Sequence, residues 1–255
     1  VNGVSEQVNI PRRTAQPKPE KPQGFSPPAH DVSPRRVMAY LIKTRGIDPE
    51  IVKAMIQRKM IAEDSVHHNC LFFGRDENGV IRSCAIRGST KVKFRGEAPG
   101  GDKSCTFAMT GHNDVLRLFE SPIDAMSHST FTKLLGKDWT ADHRLSVNGS
   151  GNYESIKRYL ANHTEIKSVW FCYDSDQAGR DGAEASSSRI FEDFPDRELS
   201  VMLCSPVKSK DWNEALQLFR VFESRGVTAR EFLAPTEFRS IPPPECDEDE
   251  FECGL

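Results

Sequence analysis

Two aspartates one residue apart, Asp174 and Asp176 in FCYDSDQAGRDGAEA, end an apolar strand-like run and precede a helix-like one. A second apolar run, VLRLFE, ends in Glu120, and Lys210-Asp211 opens the helical stretch DWNEALQLF. In an open α/β sheet, ligands collect beyond the carboxyl ends of the strands. Acidic groups from distant segments should therefore converge on one rim, where their repulsion calls for a compensating cation. Hard oxygen donors at a wet rim suit magnesium or manganese. Glu120, Asp174, Asp176 and Asp211 are the expected metal ligands.

Rival readings of the Asp-x-Asp pair fit less well. An EF-hand loop needs an oxygen ligand at its fifth position and Glu at its twelfth, where Ala178 and Ala185 stand. A haloacid-dehalogenase phosphatase places its motif on the first strand with Thr or Val where Ala178 is. A plain helix cap by Asp176 stays open, as does a cap by Asp211.

The elements that must carry these groups follow from the pattern. Strand-like and helix-like stretches alternate four times from Val115 onward, beginning with VLRLFE and PIDAMSHSTFTKLL. HRLSVNG with YESIKRYLANH, SVWFCYD with the run after Asp176, and ELSVMLC with DWNEALQLF complete the set. Four such units predict an α/β fold with a parallel four-stranded sheet flanked by helices. Upstream, RRVMAYLIKTRG ends at Gly46, and Asp48-Pro49 starts a second helix, giving a helical hairpin. NCLFFGRDENGVIRSCAIRG predicts a β-hairpin about Asn78-Gly79. Together these make a small α+β lobe over residues 34–113, followed by the sheet domain over 114–233. Residues 1–33 and 234–255 read as a disordered leader and a disordered acidic tail.

The 255 residues carry a formal charge of −3, unevenly spread: +1 over residues 1–33, +6 over 34–113, −4 over 114–233 and −6 over 234–255. The seven cysteines form no C-x-x-C pair, which argues against a zinc ribbon and for reduced, buried thiols. No apolar run approaches the ~18 residues of a membrane span, and no secretory signal is evident. A cytoplasmic location with no membrane partner is the expectation. No G-x-S-x-G stands after a strand, which leaves serine-hydrolase chemistry without support.

FESPIDAMS together with FCYDSDQAGRDGAEA resembles the Toprim domain of primases, topoisomerases and some nucleases. Glu120 and Asp124 match its Glu-x-x-x-Asp, and Asp174, Asp176, Ala178 and Gly179 match its Asp-x-Asp-x-Ala-Gly. With the upstream hairpin and the Lys210–Glu214 run, the chain is similar to primase-like Toprim proteins of plasmids and integrative elements, in which an uncharacterised domain precedes Toprim. Ser121-Pro122 departs from the glycine that most Toprim domains carry after the glutamate.

The resemblance implies phosphodiester chemistry with Mg2+ or Mn2+. Asp174 and Asp176 would hold the ion, with Asp211 as a further ligand. Glu120 would bind metal or act as general acid/base toward a 3′-hydroxyl, and Asp124 would orient it or bind a second ion. The basic residues Arg82, Arg87, Lys91, Lys93, Arg95 and Lys103 would grip a nucleic-acid backbone. Phe94 in their midst reads as a core aromatic. Gly149 and Ser150 of the NGSGN loop, with Gly179, Arg180 and Lys210, form the expected phosphate-binding set. Primase-like nucleotidyl transfer on a single-stranded DNA template, in replication or transfer of a mobile element, is the leading expectation, with nucleotides as substrates and a helicase or relaxase as partner. A metal-dependent nuclease and a non-catalytic DNA-binding accessory protein are the alternatives.

Overall fold

The computed structural model of the protein describes residues 25–31, 33–90, 94–206, 208–234 and 238–243. A short strand β1 (His30–Asp31) leads into helix α1 (Arg35–Ala39), which widens into a π-turn over Tyr40–Thr44. There the Arg45 amide reaches back five residues to the Tyr40 carbonyl at 3.0 Å. Gly46, at φ +72°, stops the helix in the left-handed region that glycine enters without steric cost. Helix α2 (Pro49–Gln57) starts as its sequence demands: Asp48 Oδ1 accepts the Glu50 amide at 2.8 Å, and Pro49 occupies the first turn.

Strands β2 (Ile61–Asp64), β3 (Cys70–Arg75), β4 (Ile81–Arg87) and β5 (Arg95–Glu97) join β1 in an antiparallel sheet of order β1-β2-β3-β4-β5. The β3–β4 hairpin turns at Asn78-Gly79, where Gly79 has φ +77° and the Asp76 carboxylate accepts the Asn78 and Val80 amides. This hairpin is the part of the sheet that the sequence predicts. β1 and β5 are two and three residues long, too short for an alternation to show.

The second lobe begins with β6 (Ala108–Met109) and then alternates: β7 (Val115–Phe119), α3 (Pro122–Leu134), β8 (His143–Ser146), α4 (Tyr153–Asn162), β9 (Ser168–Phe171), α5 (Gln177–Asp193), β10 (Ser200–Cys204) and α6 (Trp212–Glu223). Helix α7 (Ala229–Leu233) and strand β11 (Phe238–Ile241) follow. The sheet order is β11-β10-β9-β7-β8-β6. The four inner strands are parallel, as expected, and both edge strands run antiparallel to them.

Two boundary expectations need correction. His30–Asp31, inside the expected leader, pairs with β2, and Phe25 packs on the first sheet. Phe238–Ile241, inside the expected tail, pairs with β10 over four residues and covers an edge that would otherwise be open. Residues 1–24 and 244–255 lie outside the described residues.

The lobes share a core. Val37, Leu41 and Ile51 of the first lobe bury against the same cluster as Phe131, Trp212 and Phe219 of the second. Large side chains of this kind stabilise by about 1.5–3 kcal/mol each when fully buried, so the helical hairpin is fixed to the sheet domain. The opposite face of the parallel sheet packs on α4 and α5 around Leu118, Ile156, Phe171 and Ile190. Among the described residues, no helix is long and apolar enough to cross a membrane. All five described cysteines are buried and free.

Candidate active cleft

Strands β7 and β9 are parallel neighbours with Leu118 opposite Phe171, so their C-terminal residues emerge side by side. Fifty-four positions apart in sequence, Glu120 and Asp174 meet there: the Asp174 amide donates to Glu120 Oε1 at 3.2 Å. Helix α5 starts immediately behind them. Its Gly179 has no room for a Cβ, which would collide with the Asp174 carbonyl and crowd Glu120 Oε1. The Ala-Gly of the acidic motif is thus a close-approach requirement between helix and strand end.

Asp124 sits in the first turn of α3 and is buried. Ser121 caps the helix and donates its hydroxyl to Asp124 Oδ2 at 2.5 Å, while the Asn213 amide donates to Asp124 Oδ1 at 3.0 Å. Asp211 caps α6 by accepting the Glu214 amide at 2.7 Å. It also lines, with Glu120, Asp124 and Asp174, a cleft of about 590 Å³ between the lobes. Asp176 is placed differently. One oxygen caps α5 through the Gly179 amide at 3.0 Å, and the other lies 3.0 Å from Lys210 Nζ. Lys210 also stands 3.7 Å from Asp174 Oδ2.

The acids feel one another. Burial, followed by the charges of Glu120, Asp124 and Asp211, pushes the Asp174 carboxyl up to about 7. Asp124 also rises to about 7, through burial and then the charge of Asp211. Glu120 is raised, chiefly by burial. Asp176 is lowered, by the Gly179 amide and Lys210. Lys210, raised by Asp176 and Asp174, is the cation of the rim.

The opposite wall is basic. Arg87 and Arg95, from β4 and β5, line the same cleft, joined by Phe94, which is half exposed. Phe94 is therefore not the core aromatic that its sequence context predicts. Arg87 is pushed down to about 10 by burial and by Arg95 beside it. Arg87 and Arg95 also border an adjoining groove with Lys103, Asn148 and Asn152. Arg82 is elsewhere: its Nε binds Asp76 at 2.6 Å within the β3–β4 hairpin. Lys91 and Lys93 lie outside the described residues.

The phosphate-binding set is largely committed to the fold. The Gly149 amide donates to the Glu120 carbonyl at 3.0 Å, and the Gly179 amide to Asp176. Neither amide is open to a phosphate. Arg180 reaches the Ser175 carbonyl and Gln177, and Ser150 packs against Gly182. Lys210 remains as a cation beside the acids.

Asn213 is the site residue that sequence reasoning missed. Its side chain accepts from Arg45 Nη1 at 3.1 Å and donates to the Arg45 carbonyl and to Ser127 Oγ, both at 2.9 Å. It joins the first lobe to the element holding Asp124. The one sequence signal was its place in the Lys210–Glu214 run.

The donor set fits a hard divalent cation. Four carboxylates from three chain segments line one cleft, and an ammonium already bridges two acids of its rim. Among the described residues, three ligand atoms come within 4.8 Å of one another only at His143/His163/Glu165 and Asp31/Glu63/His68, so no three of the cleft acids come that close together. Both other groups have structural duties: the His143 nitrogens engage Tyr159 and Asn113, and Glu63 holds the α1 amides of Arg36 and Val37.

A parallel sheet with acids at the ends of β7 and β9 is the arrangement that the resemblance to Toprim domains implies. Residues 117–216 match the family described as Toprim-like, and residues 39–113 match a family described as a protein of unknown function, DUF3991. The chain therefore carries a Toprim-like domain preceded by a DUF3991 domain. It is 30% identical over 158 residues to the uncharacterized protein pXO2-78 of Bacillus anthracis, covering 57% of this chain and 44% of that one. It thus spans less than half the length of that relative. Its fold is similar to the primase fragment of the bacteriophage T7 primase-helicase protein, with TM-score 0.53 and 16% identity, over 84% of this chain and 82% of that one.

Proposed function

We propose that the chain is a divalent-metal-dependent nucleotidyltransferase of the primase kind, acting on single-stranded DNA with nucleotides. One observation carries the reading: Glu120, Asp124, Asp174 and Asp211 form one wall of a cleft whose other wall holds Arg87, Phe94 and Arg95. A polyanion is held by the basic wall, and its reacting phosphate is presented to the acidic one.

Glu120 and Asp174, with Asp211 and Asp176 at the rim, would hold Mg2+ or Mn2+. Such an ion supplies Lewis-acid polarisation of phosphate oxygens and orientation of the attacking group. The chain's own groups do the rest. Glu120, with its raised proton affinity, accepts a proton from a 3′-hydroxyl. Asp124, locked by Ser121 and Asn213, keeps the acidic wall in place. Arg87 and Arg95 neutralise backbone charge across the cleft, and Phe94 offers an exposed ring to a base.

A role in replication or transfer of a mobile element is supported by the domain order and by the plasmid-type designation of the relative. A helicase or relaxase is then the natural partner, and a cytoplasmic location follows from such a role. The test is primer synthesis with labelled nucleotides on single-stranded DNA in magnesium, wild type against Glu120→Gln. Metal-dependent incorporation lost in the variant supports the reading. Template shortening would assign a nuclease instead, and binding without turnover an accessory protein.

A further inference from the structure

We propose that the cavity between helices α3 and α7 and the parallel sheet is a binding site for a small, flat, apolar-bodied anion, separate from the carboxylate cleft. The cavity measures about 790 Å³, in the range of small-molecule pockets, and shares no lining residue with the cleft. Phe131, Leu135 and Leu233 form its apolar wall, and the indoles of Trp170 and Trp212 line it.

Its charge is unbalanced toward positive. Arg117 lines the floor and Arg144 lies fully buried nearby, and both guanidinia draw on one carboxylate, Asp142, at 2.5 and 3.9 Å. The other Arg144 contacts are to neutral groups: the carbonyls of Trp139 and Asp142, and Thr132 and His128. Lys137 and Arg230 add two cations at the exposed mouth, and among the described residues neither forms an ion pair with a carboxylate. The lining acid besides Asp142 is Asp138, which is turned to Thr140 and His112.

His128, on the same wall, reports the field: burial first, then Arg117, Arg144 and Lys137, hold its ring well below the usual histidine range. The summed positive field of Arg117, Arg144, Lys137 and Arg230 favours an anion over a neutral ligand. The apolar and indole walls require that the anion carry a flat apolar body. Cation groups at the mouth and apolar groups inside orient such a ligand with its charge outward.

The pocket can be probed with 1-anilinonaphthalene-8-sulfonate, a flat sulfonate whose emission rises in apolar surroundings. The test uses native protein well below its melting transition. Two of the chain's three tryptophans line the cavity, so energy transfer from indole to dye locates the binding. Single-site binding with strong transfer is expected, weakened at least tenfold in Lys137→Glu/Arg230→Glu, whose changes lie on exposed positions. The uncharged analogue N-phenyl-1-naphthylamine should bind less tightly and ignore the double substitution. Absence of a transfer signal, anion affinity unchanged in the double variant, or equal affinity for the neutral analogue would each overturn the proposal.

Discussion

The backbone amide of Asn213 donates to Asp124 Oδ1 at 3.0 Å, while the Asn213 side chain holds Arg45 of the first lobe. A single residue at the start of α6 therefore ties the acidic wall to the helical hairpin, whose Tyr40, Thr44 and Arg45 also line the cleft. Asn213 is buried, so its hydrogen bonds are made without competition from water.

Asn213→Ala removes four side-chain hydrogen bonds, two with Arg45 and one each with Ser127 and Gln217, and leaves Ser127 Oγ and the Arg45 guanidinium with fewer partners. A loss of about 2 kcal/mol or more is expected, since each buried group left unpaired costs about 1–3 kcal/mol. Urea unfolding measures it. A change within about 0.5 kcal/mol, the usual range for neutral surface substitutions, would show that the link does not hold the lobes.

The crowded carboxylates give a pH dependence of definite sign. Asp174 has its folded proton affinity raised to about 7, above that of an unfolded aspartate. The folded state then binds the extra proton, so stability without metal is full below about pH 4 and falls as pH rises toward 7. Asp174→Asn should raise metal-free stability at pH 8 by about 1 kcal/mol after solvent screening, with little change at pH 4. Equal effects at the two pH values would contradict the repulsion.

Asp176 has the opposite sign. Its affinity is lowered by the Gly179 amide and Lys210, so its contribution is present at neutral pH and fades as pH falls through its folded pKa. Asp176→Asn should lower the melting temperature at pH 8 where Asp174→Asn raises it. Magnesium titrated into each variant gives the second readout: both should bind the ion more weakly than wild type, and unaltered affinity in both would remove them from the ligand set.

The basic wall is testable through salt. Arg87→Gln/Arg95→Gln should weaken binding of single-stranded DNA and lower the slope of log affinity against log salt by about 1.4, at about 0.7 per lost phosphate contact. Fluorescence anisotropy across a sodium chloride series reads this slope. A parallel line displaced or not from wild type would place the nucleic acid elsewhere.

Gly179→Ala tests the close approach of α5 to β9. The new methyl meets the Asp174 carbonyl, a backbone atom that cannot swing aside. A destabilisation of about 1–3 kcal/mol is expected from such overpacking. Thermal melting at wild-type level would mean that the helix shifts without strain.

What the sequence alone determined was local and periodic. The alternation after Val115 was enough for four parallel strands and their helices, because each strand and helix carries its own period. Acids at the ends of VLRLFE and SVWFCYD were enough to expect Glu120 and Asp174 on one rim, because parallel strands share a carboxyl edge, but that β7 and β9 are neighbours was decided by the sheet order. The caps at Asp48 and Asp176 were likewise legible, since a cap is made within three residues.

Only the tertiary structure decided what depends on partners far along the chain. Short strands such as β1, β5 and β11 acquire their backbone hydrogen bonds from sheets already formed, so their own residues carry little signal. Basic residues look alike in a row, yet Arg87 and Arg95 face the acids while Arg82 is held by Asp76. Asn213 serves two lobes at once, and no spacing records that. Charge balance and exposure are sums over neighbours in space, and those neighbours exist only once the lobes have packed.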